Sequence, residues 1–332
     1  MDKAKWTSLC RRRNFLALVL GFGLLYGLMS SGFISMQYQG IIITIGIYVL
    51  LAASLNLTTG VLGELVLGHA GFMSIGAYTA ALFTLHMDLP ALVEFPLALF
   101  LGGALAAVFG VLIGIPALRL RGDYLAIVTL GFGEIIRVVI QNLSFTGGGR
   151  GLYGIDEYTT FPWVFWIAAL SVAVMYAMIG TRQGRAILSL RENEIAAEAV
   201  GVPGTRYKVL AFTISSFFAG VAGGLYAHYI TVLDPATFDF NMSIEILVMV
   251  VLGGMGSFTG SVLAAVVLTL LPELLRDLAD YRMLIYSVVL VLMMILRPQG
   301  LLGKREFSLS RLWERLTAML KKPVPAGGKG EE

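Results

Sequence analysis

Apolar runs of about 20 residues follow one another along almost the whole chain, broken mainly by glycine, and that length carries a helix across a roughly 30 Å hydrocarbon layer. No other feature limits the fold so strongly. Of the 332 residues, 57% are hydrophobic and 14% charged, where soluble domains carry about 25% charged residues. A water-soluble fold of this size has no means of hiding so much apolar surface. The alternating segments of about ten residues that mark a transmembrane barrel are not seen. The expected class is an all-α polytopic membrane protein with two weakly related halves.

The runs place about ten spans, near Phe15–Ser35, Ile41–Thr58, Leu65–Leu85, Phe95–Leu118, Tyr124–Ile140, Trp163–Gly180, Val209–Tyr229, Ile244–Leu252, Ser261–Leu275 and Met283–Leu296. The alternative is eight spans with the third or eighth segment re-entrant. The basic start, with Arg11, Arg12 and Arg13, resembles a signal peptide, but its apolar run is too long and no A-x-A-like cleavage site follows. It reads as a retained first span after a tail over 1–14. With both termini cytoplasmic, all Lys and Arg except Arg137, Arg150, Arg276 and Arg282 fall on one side, as the positive-inside rule asks. After residue 303 the spacing of Leu309, Leu312, Trp313, Leu316, Met319 and Leu320 predicts an interfacial amphipathic helix, followed by a disordered tail.

One interior stretch is polar. Residues 181–208 hold Arg182, Arg185, Arg191, Glu192, Glu194, Glu198, Arg206 and Lys208. From Arg185 to Val200 there is no Gly or Pro, so propensity favours one short helix, closed by Gly201 and Pro203. Ile187, Leu188, Ile195 and Val200 supply apolar contacts beside the charges. Such a helix suits a groove in a partner protein; the alternative is a solvated loop helix that obeys the topology rule, against which the acidic residues speak, since that rule asks only for Lys and Arg.

Each half also carries a glycine-broken segment: GVLGELVLGHAG in the first, LGGMGSFTG in the second. Interrupted segments at matching places in two halves point to a transporter's central site, because they expose backbone polar groups that only protein, water or substrate tolerates there. The candidate path residues are therefore Gly63, Glu64, His69, Gly253, Gly254 and Gly256, with Glu134 in the fifth span. Glu64 reads equally as a path lining and as a helix N-cap near the surface. His69 has a second reading as a packed, hydrogen-bonded histidine. Glu134 and Arg137 are spaced to pair on one helix face, and a proton-coupling role for Glu134 is the alternative. Asp123 reads as the N-cap of the fifth span. The glycine run Thr146–Gly151 lacks the strand, Lys and Ser/Thr of a P-loop and reads as a flexible outer loop, with an outer gate as the alternative. The single Cys10 and three His form no metal-ligand pattern. No nucleophile, metal or cofactor motif appears, so no enzyme, no cofactor and no nucleic-acid partner are expected.

Four stretches together carry a family resemblance: Leu55–Tyr78, Leu118–Val138, RENEIAAEAVGV with the following KVLAFTISSFFAGVAGGLYA, and VVLGGMGSFTGSVLAAVV with the end motif Leu296–Leu302. Through them the chain resembles the LivM-type permease subunits of branched-chain amino acid ABC importers, from about Ile45 to Leu302. The resemblance implies a multi-pass protein of the bacterial inner membrane, assembled with a second, homologous permease, two ATP-binding subunits and an external binding protein that delivers an amino acid. It places the coupling loop at Glu194, Ala196, Ala197 and Gly201, with Arg191 and Glu192 beside it. The family's common pattern in the first stretch is G-Q-x-S-L-G-H-A. Here Glu64 stands at the Gln position and Val66 at the Ser position, so permeases for urea or short amides are the alternative within the family. A secondary transporter using Glu64 or Glu134 is the alternative outside it.

Overall fold

The structure is a computed structural model that describes residues 3–32, 34–87, 89–276, 281–296, 300, 301 and 303. The predicted amphipathic helix and tail lie outside the described residues. Twelve α-helices are described: α1 (Lys3–Ser30), α2 (Met36–Asn56), α3 (His69–His86), α4 (Ala91–Ala117), α5 (Asp123–Asn142), α6 (Phe161–Ile179), α7 (Arg182–Glu192), α8 (Glu194–Ala199), α9 (Gly204–Ile230), α10 (Phe240–Gly253), α11 (Phe258–Leu274) and α12 (Arg282–Leu296). The described residues contain no strand, only an isolated bridge between Leu152 and Leu233. The fold is that of an all-α multi-pass membrane protein. Four segments are long and apolar enough to cross a membrane, Met36–Leu62, Ala91–Ala117, Phe161–Ile179 and Gly204–Ile230, and shorter apolar helices stand beside them.

The chain forms two compact units. One holds Met1–Phe33 with Glu306–Glu332, the other Ile34–Arg305. In the first, α1 begins at Lys3, well before the span expected from Phe15, because nothing in KAKWTSLCRRR breaks a helix. All functional candidates belong to the second unit.

That unit is built around α9, which packs on α3 and α4. The reason is visible in the glycines. A Cβ at Gly76 of α3 would overlap the backbone of Gly220 in α9, and one at Gly102 of α4 would lie 2.7 Å from the Gly76 carbonyl. Helices in a membrane gain little from hydrophobic association and hold together by close packing of small residues. Accordingly α9 is 67% buried over its apolar window, and α6, at the periphery, only 22%. Prolines 96 and 116 sit inside α4; α2 also packs on α9, and α11 packs on α2.

Candidate functional site

The first glycine break starts where α2 loosens. Residues Leu57–Leu62 wind as a π-turn, a local underwinding common at functional sites. The amides of Gly63 and Glu64 both donate to the Thr58 carbonyl, at 3.0 and 3.1 Å. The chain then runs without helix until His69 opens α3. The expected third span thus begins four residues later than Leu65, because Gly63 takes φ +88° and ends the turn. Gly68 caps α3 without a side-chain hydrogen bond, so Glu64 is not a helix cap. The second break lies between α10 and α11, with Gly254 at φ +108° and Gly256 at φ +92°. Ser257 caps α11 by accepting from the Gly260 amide. Gly253 packs on Gly260, and Gly254 packs on Gly303, just beyond the end motif, whose Leu301 amide donates to the Leu252 carbonyl.

The two breaks meet. The Gly256 amide donates to Oδ1 of fully buried Asn56 at 2.9 Å, and Cβ atoms on Gly60 or Gly256 would crowd each other's backbone. Arg191, at the end of α7, lies over the junction. A Cβ at Gly63 would approach its Cγ to 3.1 Å, and one at Gly256 would approach its guanidinium to 2.6 Å. Asn56 Nδ2 and Thr59 Oγ1 are buried here without a hydrogen-bond partner among the described residues.

Beside this junction stands a chain of charges. Lys208, 4% exposed in α9, donates from Nζ to Glu64 Oε1 at 2.6 Å and pairs with Glu194 Oε1 at 2.9 Å. The other oxygen of Glu194 faces Arg121 at 3.4 Å. Two carboxylates and two cations leave the set neutral. Removing one partner of a buried pair costs about 3–5 kcal/mol, since an uncompensated charge stays behind. The side chain of Arg121 is 70% exposed, so its contact is worth little, on the order of 0–1 kcal/mol.

The platform itself is two helices rather than the single one expected. Asn193 breaks it: its backbone is extended and its side chain accepts from the Ala196 amide, capping α8. Thr181 caps α7 in the same way through the Gly184 amide. The end of α8 closes as expected from Gly201. That glycine takes φ +89°, its amide bonds the Glu198 carbonyl, and the Val202 amide bonds the Ala197 carbonyl, which is the Schellman pattern. Ile187 is fully buried, whereas Ile195 and Val200 are 74% and 81% exposed. Glu192, Ala196 and Gly201 are exposed with them, and Ala197 is buried.

His69 joins α2 to α3 through a 2.8 Å bond between its Nε2 and Ser54 Oγ, and Ser215 of α9 donates to the Ser54 carbonyl. Glu134 stands apart from the junction and is ion-paired with Arg137 at 2.7 Å. Asp123 is the first residue of α5, and the cap is Gly122, whose φ of +57° favours glycine over the acid predicted there. The glycine run 146–151 is not a free loop. Leu152 and Leu233 exchange backbone bonds of 2.8 and 2.9 Å, which ties it to the segment after α9.

Sequence reasoning missed several polar residues. Lys208 was counted only among the platform charges, with no partner assigned, and Asn56, beside Ser54, Thr58 and Thr59 at the end of an apolar run, was given no role. At the end of the unit opposite the platform, Tyr158 donates to Glu94 Oε2 at 3.3 Å and stacks on His228, which shares a 3.0 Å bond with Thr84. Partial burial and the carboxylates of Asp156 and Glu94 push the Tyr158 phenol up to about 12, so it stays a neutral donor at physiological pH.

Comparison with known proteins accords with this geometry. Residues 37–297 match the family described as "Branched-chain amino acid transport system / permease component". The permease protein LivM of the high-affinity branched-chain amino acid transport system of Salmonella typhimurium is 42% identical over 291 residues, covering 77% of this chain and 68% of the relative. The LivH permease protein of the same organism is 26% identical over 306 residues, covering 82% and 96%. The ribose import permease protein RbsC of Escherichia coli is 28% identical over 238 residues, covering 65% and 71%.

Proposed function

Since the chain belongs to the family of branched-chain amino acid transport system permease components, we propose that it forms the translocation path of an ATP-driven importer and couples that path to ATPase subunits. The cargo in this reading is a branched-chain amino acid, the substrate class that the names of LivM and LivH carry. A second, homologous permease, two ATP-binding subunits and an external binding protein complete the assembly in the bacterial inner membrane. The chain crosses about ten times with both termini and the platform in the cytoplasm, the side on which Lys and Arg concentrate.

One observation carries the coupling role: Arg191 of the platform lies against both glycine breaks at once. The exposed Ile195 and Val200 beside Glu192 and Glu198 give the platform an apolar and charged outer surface, the kind that seats in a partner's groove. ATP binding closes the ATPases, the platform moves with them, and the glycine junction changes its opening toward the cytoplasm. The chain makes and breaks no covalent bond. Glu64 is paired with Lys208 and Glu134 with Arg137, which gives each carboxylate a structural partner.

The test is affinity purification of the tagged chain, followed by uptake in proteoliposomes. A second permease and an ATPase should come down with it, and uptake should need ATP. Uptake that survives without ATP and collapses with a protonophore would contradict the reading.

A further inference from the structure

We infer that Lys208 is a positioning residue that locks helix α8 to the first glycine break, so that the two travel as one body when the platform is displaced. The inference rests on the coupling role proposed for the platform and names the internal link through which that role acts.

Three segments converge on one ammonium, one of them from 144 residues away. Glu64 comes from the unwound stretch 63–68, Glu194 from the first turn of α8, and Lys208 from the second turn of α9. The side chains are 14%, 24% and 5% exposed. An ion pair this far from water is screened little by salt. An ammonium has three donors, and two carboxylates occupy it here. Separating it from Glu64 would strand a carboxylate that has no other cation among the described residues, and the bond to Glu194 adds a second charged contact, so the triad stays closed while its surroundings move.

The link matters because of what it joins. α8 is six residues long and is separated from α7 by extended Asn193, so it has little stiffness of its own. The stretch 63–68 is non-helical, held by the Gly63 and Glu64 amides on the Thr58 carbonyl and by the Leu67 amide on Thr129 Oγ1, and runs straight into His69, the start of α3. A push on α8 therefore reaches α3 through Glu194, Lys208 and Glu64. Arg191 makes the neighbouring contact by packing, at the glycines; Lys208 makes its contact by charge. Glu64, expected to line the path, is in this account a strut beside it. Neutralising Lys208 would leave α8 on the surface, still displaying Ile195 and Val200 to a partner, but detached from the break.

The experiment uses the intact complex in proteoliposomes and reads leucine uptake per ATP hydrolysed. Lys208→Met should still co-purify with the ATPase and hydrolyse ATP within about twofold of wild type, while uptake per ATP falls about tenfold, the scale on which a coupling contact acts. Lys208→Arg, which keeps the charge, should recover most of the ratio. Should Lys208→Met not assemble, Lys208→Met/Glu64→Gln removes the stranded carboxylate at 64 and leaves Glu194 with Arg121; it should assemble and show the same uncoupling. An unchanged uptake-to-ATP ratio in Lys208→Met overturns the inference. So does loss of the ATPase from both variants on purification, which would make Lys208 part of the docking surface or of the fold and not a link between the two. A wild-type chain that brings down no ATPase overturns the proposed coupling function and this inference with it, a result the variants do not mimic.

Discussion

Single residues divide into those held by shape and those held by charge. Gly201 belongs to the first kind. Its φ of +89° closes α8, yet nothing lies within 4 Å of where a Cβ would stand. The cost of a side chain there is conformational only, roughly 1–2 kcal/mol. Gly201→Ala should therefore lower thermal stability slightly and leave uptake measurable, whereas a large acidic residue at this exposed position, Gly201→Glu, should abolish uptake with the protein still inserted. Membrane fractionation with an uptake assay checks both. Glu64 belongs to the second kind. Its place in a glycine-rich stretch was legible in the sequence, but its partner was not, because Lys208 lies 144 residues away and only the packing of α9 brings it near.

At the level of elements, the all-α multi-pass class was legible because apolar runs bounded by glycine, proline and charge have few alternatives in a membrane. The division of the platform was not. Propensity over Arg185–Val200 favours one continuous helix, and the local competition won by the Asn193 side chain is a matter of about 1 kcal/mol. Asn193→Ala should remove that cap, lower the melting temperature of the complex slightly and let α7 run on into α8; loss of coupled ATPase activity at nearly normal assembly is the expected readout. The α4–α9 contact is less forgiving. A side chain at Gly220 would meet Ala106 Cβ at 2.6 Å and the Gly102 carbonyl at 2.8 Å, and overpacking of this kind costs roughly 1–3 kcal/mol or more. Gly220→Val should yield little folded protein on size-exclusion chromatography. A yield equal to wild type would mean that the helices do not approach as closely as described.

For the whole molecule, the echo between the two halves was visible only as two glycine-rich interruptions. Their meeting was not, since it depends on Asn56 reaching Gly256 across 200 residues and on Arg191 lying over both. The structure thereby joins two features that the sequence presented separately, the broken helices and the charged platform, and the coupling account follows from that junction. The most direct test is Arg191→Ala in the reconstituted complex, with uptake and ATP hydrolysis followed in the same vesicles. Removal of the guanidinium should leave ATP hydrolysis running and lower the amino acid transported per ATP about tenfold; a ratio equal to wild type would contradict the account.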